Sequence, residues 1–125
     1  MTRAEHECYD ALLKAVGDQY YIFPQAHLPT FVDVHVVGQS WRGAFRHIDE
    51  KSVDFVLCDK AYLAPKLAIE LDDRSHELPK RKERDVEVER IIKMAGLPLL
   101  RLKNQGHFEP QVLSEQINSR VTLGA

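Results

Sequence analysis

Hydrophobic and polar positions change their period several times along the chain, and each change marks an element. Over residues 2–16, Ala4, Cys8, Leu12 and Ala15/Val16 recur at helical spacing. Thr2 and Glu5 match a capping box, in which hydroxyl and carboxylate close the free backbone donors of the first turn, and Gly17 suits the stop. The aromatic and β-branched run Tyr20, Tyr21, Ile22, Phe23 predicts a strand towards Leu28. From 30 to 50 the pattern is ambiguous. Residues 31–37 are rich in β-branched side chains, Pro29 and Thr30 suit the start of a short helix, and Gly38, Ser40 and Gly43 interrupt any regular element. Period-two alternation returns over 52–58 and 66–72 with a short loop between, which predicts an antiparallel hairpin. Pro79 opens a basic helix to about Ala95, Gly96 caps it and Pro98 follows. Residues 97–102 read as a buried strand, and Pro110 starts a last helix through about Val121. This order predicts an α/β fold, a central mixed sheet flanked by helices.

Within the hairpin, alternation puts Leu67, Ile69 and Leu71 on one face and Ala68, Glu70 and Asp72 on the other. Likewise Val53, Phe55 and Leu57 oppose Asp54, Val56 and Cys58. A loop centred on Tyr62 sets a register in which Lys60 faces Ala64, Cys58 faces Lys66, Val56 faces Ala68 and Asp54 faces Glu70. Glu70 and Asp72 are then about 6–7 Å apart along the strand, with Asp54 about 5 Å across from Glu70. Facing carboxylates repel, and burial sharpens the repulsion. Two readings stand on spacing alone. One is a solvated acidic strand edge; the other is a site for a divalent cation such as Mg²⁺, which takes carboxylate oxygens, keeps several waters and engages substrate phosphates.

The 125 residues fit a single domain over 1–125, 44% hydrophobic and 29% charged. No apolar run approaches the ~18 residues a membrane span needs, and the charged start, Arg3, Glu5, His6 and Glu7, is unlike a secretory signal. A cytoplasmic location with no membrane association is the expectation, with Cys8 and Cys58 reduced and buried. Seventeen Lys+Arg against nineteen Asp+Glu give a net charge of −2, which excludes a globally basic coat for nucleic acid but not a local basic face. Arg74, Lys80, Arg81, Lys82, Arg84, Arg90 and Lys93 crowd the second main helix and its approach. They read as a phosphate-contacting face or as the solvated side of a helix that buries Val88, Ile91 and Ile92. Asp85 is expected to bond Arg101 across the helix–strand contact. His27, His35, His47 and His107 lack zinc-like spacing, and Trp41 and Phe45 suit core packing. There is neither a Gly-rich phosphate loop nor a Ser/Cys nucleophile motif.

Asp54 followed, sixteen residues later, by Glu70, Leu71, Asp72, Asp73, Arg74, Ser75 and His76 resembles the PD-(D/E)XK nuclease superfamily. It is similar to the branch of very-short-patch-repair-type endonucleases. Glu5 on the first helix, Asp85 between Arg84 and Val86, and the stretch from Ala95 to Arg101 match further features, so the resemblance covers about residues 2–103. It implies a restriction-endonuclease-like core in the order αβββαβ. It also implies metal binding by Asp54, Glu70 and the backbone carbonyl of Leu71, supported by Glu5. The cofactor would be Mg²⁺, with Mn²⁺ as substitute, and the reaction hydrolysis of a phosphodiester in DNA rather than RNA. One position departs: where the motif has lysine, this chain has Asp72. Asp72 is then a further metal ligand, and the cation is sought at Lys51, Lys80, Lys82 or Arg84. His76 is a candidate general base or acid, and Gln25 a candidate neighbour of the site. The competing expectation is a non-catalytic module of the same fold that binds nucleic acid or protein.

Overall fold

The computed structural model describes residues 1–31, 52–72, 79–104 and 106–124. Helix α1 (Arg3–Val16) starts where Thr2 caps it, its hydroxyl oxygen accepting from the Glu5 amide at 3.2 Å, and it buries Cys8, Ala11, Leu12 and Val16. Strand β1 (Tyr20–His27) leads into a single helical turn, α2 (Leu28–Phe31), which begins where Pro29 and Thr30 suggested a helix. The rest of the ambiguous stretch, with His35, Trp41, Phe45 and His47, lies outside the described residues. Strands β2 (Ser52–Asp59) and β3 (Pro65–Asp72) form the expected hairpin, α3 (Pro79–Met94) and β4 (Leu99–Lys103) follow, and α4 (Pro110–Gly124) closes the chain.

The sheet runs β1-β2-β3-β4, antiparallel through the first three strands and parallel between β3 and β4. It is the mixed α/β sheet flanked by helices that the pattern predicts. Each face carries its own core. On one side α1 and α4 pack Cys8, Leu12, Val16, Leu113 and Ile117 against Ile22, Phe55, Leu57, Leu67, Ile69, Leu71, Leu100 and Leu102. On the other, α3 packs Val88, Ile91 and Ile92 against Ala26, Val53, Val56, Cys58 and Ala68. The two cysteines are buried and unbridged, one in each core.

Three local expectations are corrected. The hairpin register holds at Phe55↔Ile69, Val56↔Ala68 and Leu57↔Leu67, but a bulge then shifts it, so that Cys58 meets Pro65 rather than Lys66. Pro65 brings no N–H to the ladder, and the loop is fixed from Asp59: its amide donates to the Ala64 carbonyl, and its carboxylate accepts from the Tyr62 amide at 2.7 Å. Asp59 rather than Lys60 therefore pairs with Ala64. Second, Val53 lies in the α3-side core, opposite Phe55 and Leu57. The reason is a kink shared by β1 and β2. Pairing passes from Pro24↔Phe55 to Ala26↔Val53, Gln25 between them has φ 49°, and both Ala26 and Val53 turn to the α3 side. Third, Arg101 bonds Glu89 and Asp72 in place of Asp85.

Candidate active site

The site is built at the kink. Asp54 sits on β2 between Val53 and Phe55, whose side chains go to opposite faces. Its Oδ2 accepts a hydrogen bond from the Leu71 amide at 2.7 Å. A strand donor thus ends on a side chain, which draws the carboxylate against the peptide joining Glu70 to Leu71. A carboxylate receiving a backbone N–H is fixed in place as a charged acceptor. Its field reaches α1. The Cys8 thiol is pushed up to about 12, by burial first and by the charge of Asp54 second. Half-buried Glu5 stands one turn before Cys8 on the same helical face.

Glu70 is the one charged side chain buried among the described residues, 4% exposed. Its cross-strand partner in the parallel ladder is Arg101. Buried carboxylates persist where cations, donors or metals offset the cost of losing water. Asp72, two residues on and on the same face, is half-buried and engages Arg101 through Oδ1 and Nη1 at 3.1 Å. Arg101 in turn donates from Nε to Glu89 on α3 at 2.9 Å. Burial works against the guanidinium charge, but Glu89 and then Asp72 outweigh it and raise the arginine pKa.

The structure therefore draws the Asp54 carboxylate to the Glu70–Leu71 peptide at one end of β2 and β3, while Asp72 goes to Arg101. Among the described residues, no three His, Cys, Asp or Glu side chains cluster as metal ligands. What Asp54, Glu70 and the Leu71 carbonyl offer is a small set of hard oxygen donors. That suits Mg²⁺ or Mn²⁺, which bind through one or two carboxylates with waters completing the shell. Lys51, Arg74 and His76 lie outside the described residues, and Lys80, Arg81, Lys82 and Arg84 are described only as backbone on the first turns of α3. Gln25 is at the kink across from Asp54 and exposed.

Sequence reasoning missed the joint role of Arg101 and Glu89. A signal was present: Arg101 is a lone, half-buried cation between the apolar Leu100 and Leu102 of β4, a position that demands a partner.

Comparison with known proteins places residues 1–120 in DUF2726, a family described as proteins of unknown function, and the chain belongs to that family. No curated protein and no solved structure matches it.

Proposed function

We propose that this DUF2726 domain is a divalent-metal-dependent nuclease that hydrolyses phosphodiester bonds in nucleic acid, DNA rather than RNA. One observation carries the reading. The carboxylate of Asp54 is anchored at 2.7 Å on the amide that directly follows Glu70. The β2–β3 hairpin thereby presses an acidic oxygen against the backbone of a second, buried acid. The αβββαβ order and the resemblance of the motif around Glu70 agree with this use of the hairpin.

Asp54, Glu70 and the Leu71 carbonyl would hold the ion, with Glu5 supporting its waters. A bound Mg²⁺ there would acidify a water and offset charge on the scissile phosphate. In the balanced reaction the water oxygen bonds to phosphorus, one ester P–O bond breaks, and the departing oxygen gains a proton. His76 is the candidate to accept the proton that the water gives up. The basic first turns of α3 would contact flanking phosphates, which fix register without reading sequence. The side chain in the motif's lysine position is Asp72, already engaged by Arg101, and this favours the second reading of a module that binds without cutting.

Calorimetric titration of Mn²⁺ and Mg²⁺ into wild type, Asp54→Ala and Glu70→Ala, beside a cleavage assay on duplex DNA, tests the proposal. The expected result is metal binding by wild type and binding at least tenfold weaker in each variant, since loss of even an outer-shell partner of a metal costs about 10–100-fold. Cleavage should fall by about 10²-fold or more. Undiminished metal-dependent cleavage by clean Asp54→Ala protein would overturn the site. DNA binding by wild type without cleavage in either metal would establish the binding module instead.

A further inference from the structure

We propose that Arg101 is the residue that contacts the reacting phosphate and neutralises the charge developing on it, with Asp72 and Glu89 as the positioning residues that aim it. This rests on the nuclease reading above. Attack on a phosphodiester gathers negative charge on oxygens already facing carboxylates, so the site requires a cation of its own besides any metal. Asp72 cannot supply it. Arg101 is the cation that the sheet sets across from Glu70.

Three observations support the assignment. Arg101 is the cross-strand partner of Glu70, and it lies between Leu100 and Leu102, which enter the α1–α4 core. It therefore shares the opposite face with Glu70 and Asp72. Its guanidinium is also held from two sides, by Asp72 at 3.1 Å and Glu89 at 2.9 Å. Two carboxylates on separate elements fix the plane of the fork, and a rigid fork suits the paired oxygens of a phosphate better than a lysine on a flexible stem. Finally, the group is accessible. Its side chain is 25% exposed, and the residue borders a cleft of about 410 Å³ between β4 and α4, lined also by Lys103, His107, Glu109 and Gln116. Of the five N–H donors an arginine carries, Nε serves Glu89 and one on Nη1 serves Asp72. The remaining donors can meet an anion while the clamp stays closed. Arg101 gives up no proton in the reaction; it stays charged throughout.

The test uses the whole chain, a duplex DNA oligonucleotide and three variants: Arg101→Met, Arg101→Lys and Asp72→Lys/Arg101→Met. The double variant moves the positive charge one strand over, into the place Asp72 holds. Thermal melts establish folding, and Mn²⁺ calorimetry reports the metal site independently of turnover. Arg101→Met is expected to bind Mn²⁺ within about twofold of wild type and to lose about 10²-fold in kcat, the usual worth of one oxyanion donor. KM should change little, and Arg101→Lys should fall between. Asp72→Lys/Arg101→Met should regain most of the loss, which a merely structural arginine would not permit. Wild-type kcat in Arg101→Met, or no recovery in the double variant, would overturn the role of Arg101 while leaving the nuclease standing. Mn²⁺ binding without any cleavage by wild type would overturn the nuclease reading and this assignment with it.

Discussion

At the scale of single residues, Cys8 reports on Asp54. The Cys8 thiol is fully buried and raised to about 12, and Cys58, 1% exposed, is raised as well, by burial and then by Asp59. Reactivity of a thiol follows its thiolate fraction and its exposure. Both cysteines should therefore resist a disulfide reagent at pH 8 in the native protein, and both should react at once in guanidinium; rapid native labelling of either would contradict the described cores. The same shift has a sign in stability. The unfolded thiol loses its proton near 9.0 and the folded one near 12, so stability from protonated Cys8 is complete below pH 9.0 and declines between those values. Urea midpoints of wild type and Cys8→Ala measured from pH 7 to 11 should show the wild type losing more as pH rises.

At the scale of elements, punctuation was the most legible layer. Thr2, Pro79, Gly96, Pro98 and Pro110 mark starts and stops that backbone chemistry enforces, and the structure keeps them. Two glycines show that one residue type ends helices for different reasons. Gly96, φ 74°, follows α3, whose end is closed by bonds from the Gly96 amide to the Lys93 carbonyl and from the Leu97 amide to the Ile92 carbonyl. Gly17 keeps a helical φ of −62°, but an added Cβ would stand 2.4 Å from the Leu13 carbonyl oxygen. Gly96→Ala should cost about 1–2 kcal/mol from its left-handed backbone alone, and Gly96→Asn should recover part of it. Gly17→Ala should cost about 1–3 kcal/mol from overpacking against rigid backbone, with no relief from asparagine; urea unfolding of the four variants separates the two causes. Less legible was anything set by contacts between elements. The kink at Gln25 carries no glycine to announce it, so strict alternation misplaced Val53. The partner of Arg101 was predicted on the correct face of α3 but one turn early, because Asp85 and Glu89 are separated by four residues and share that face. Spacing within a helix cannot choose between adjacent turns; packing against β4 does.

At the scale of the whole molecule, the sheet divides two separate apolar cores whose side chains come from shared strands. Mutations in separate cores should therefore add. Ile69→Val on the α1–α4 side and Ile91→Val on the α3 side should each cost about 0.5–1.5 kcal/mol, and the double variant should equal their sum within about 0.5 kcal/mol; a larger departure in urea unfolding would mean that the sheet transmits strain between its faces. The β2–β3 hairpin could be read from order and alternation because its two strands are consecutive. The Arg101 clamp could not, since it joins β3, α3 and β4 and exists only once the crossover closes. The kink has one more consequence, for how this molecule behaves among its copies. An outer strand with a regular row of donors and acceptors invites another chain to extend the sheet, the first step towards fibrils. Here β1 brings no donor at Pro24 and turns left-handed at Gln25, while β4, at the other margin, is five residues long and ends in exposed Lys103. Among the described strands neither margin offers a long, even template, so the irregularity that seats Asp54 also works against edge-to-edge assembly.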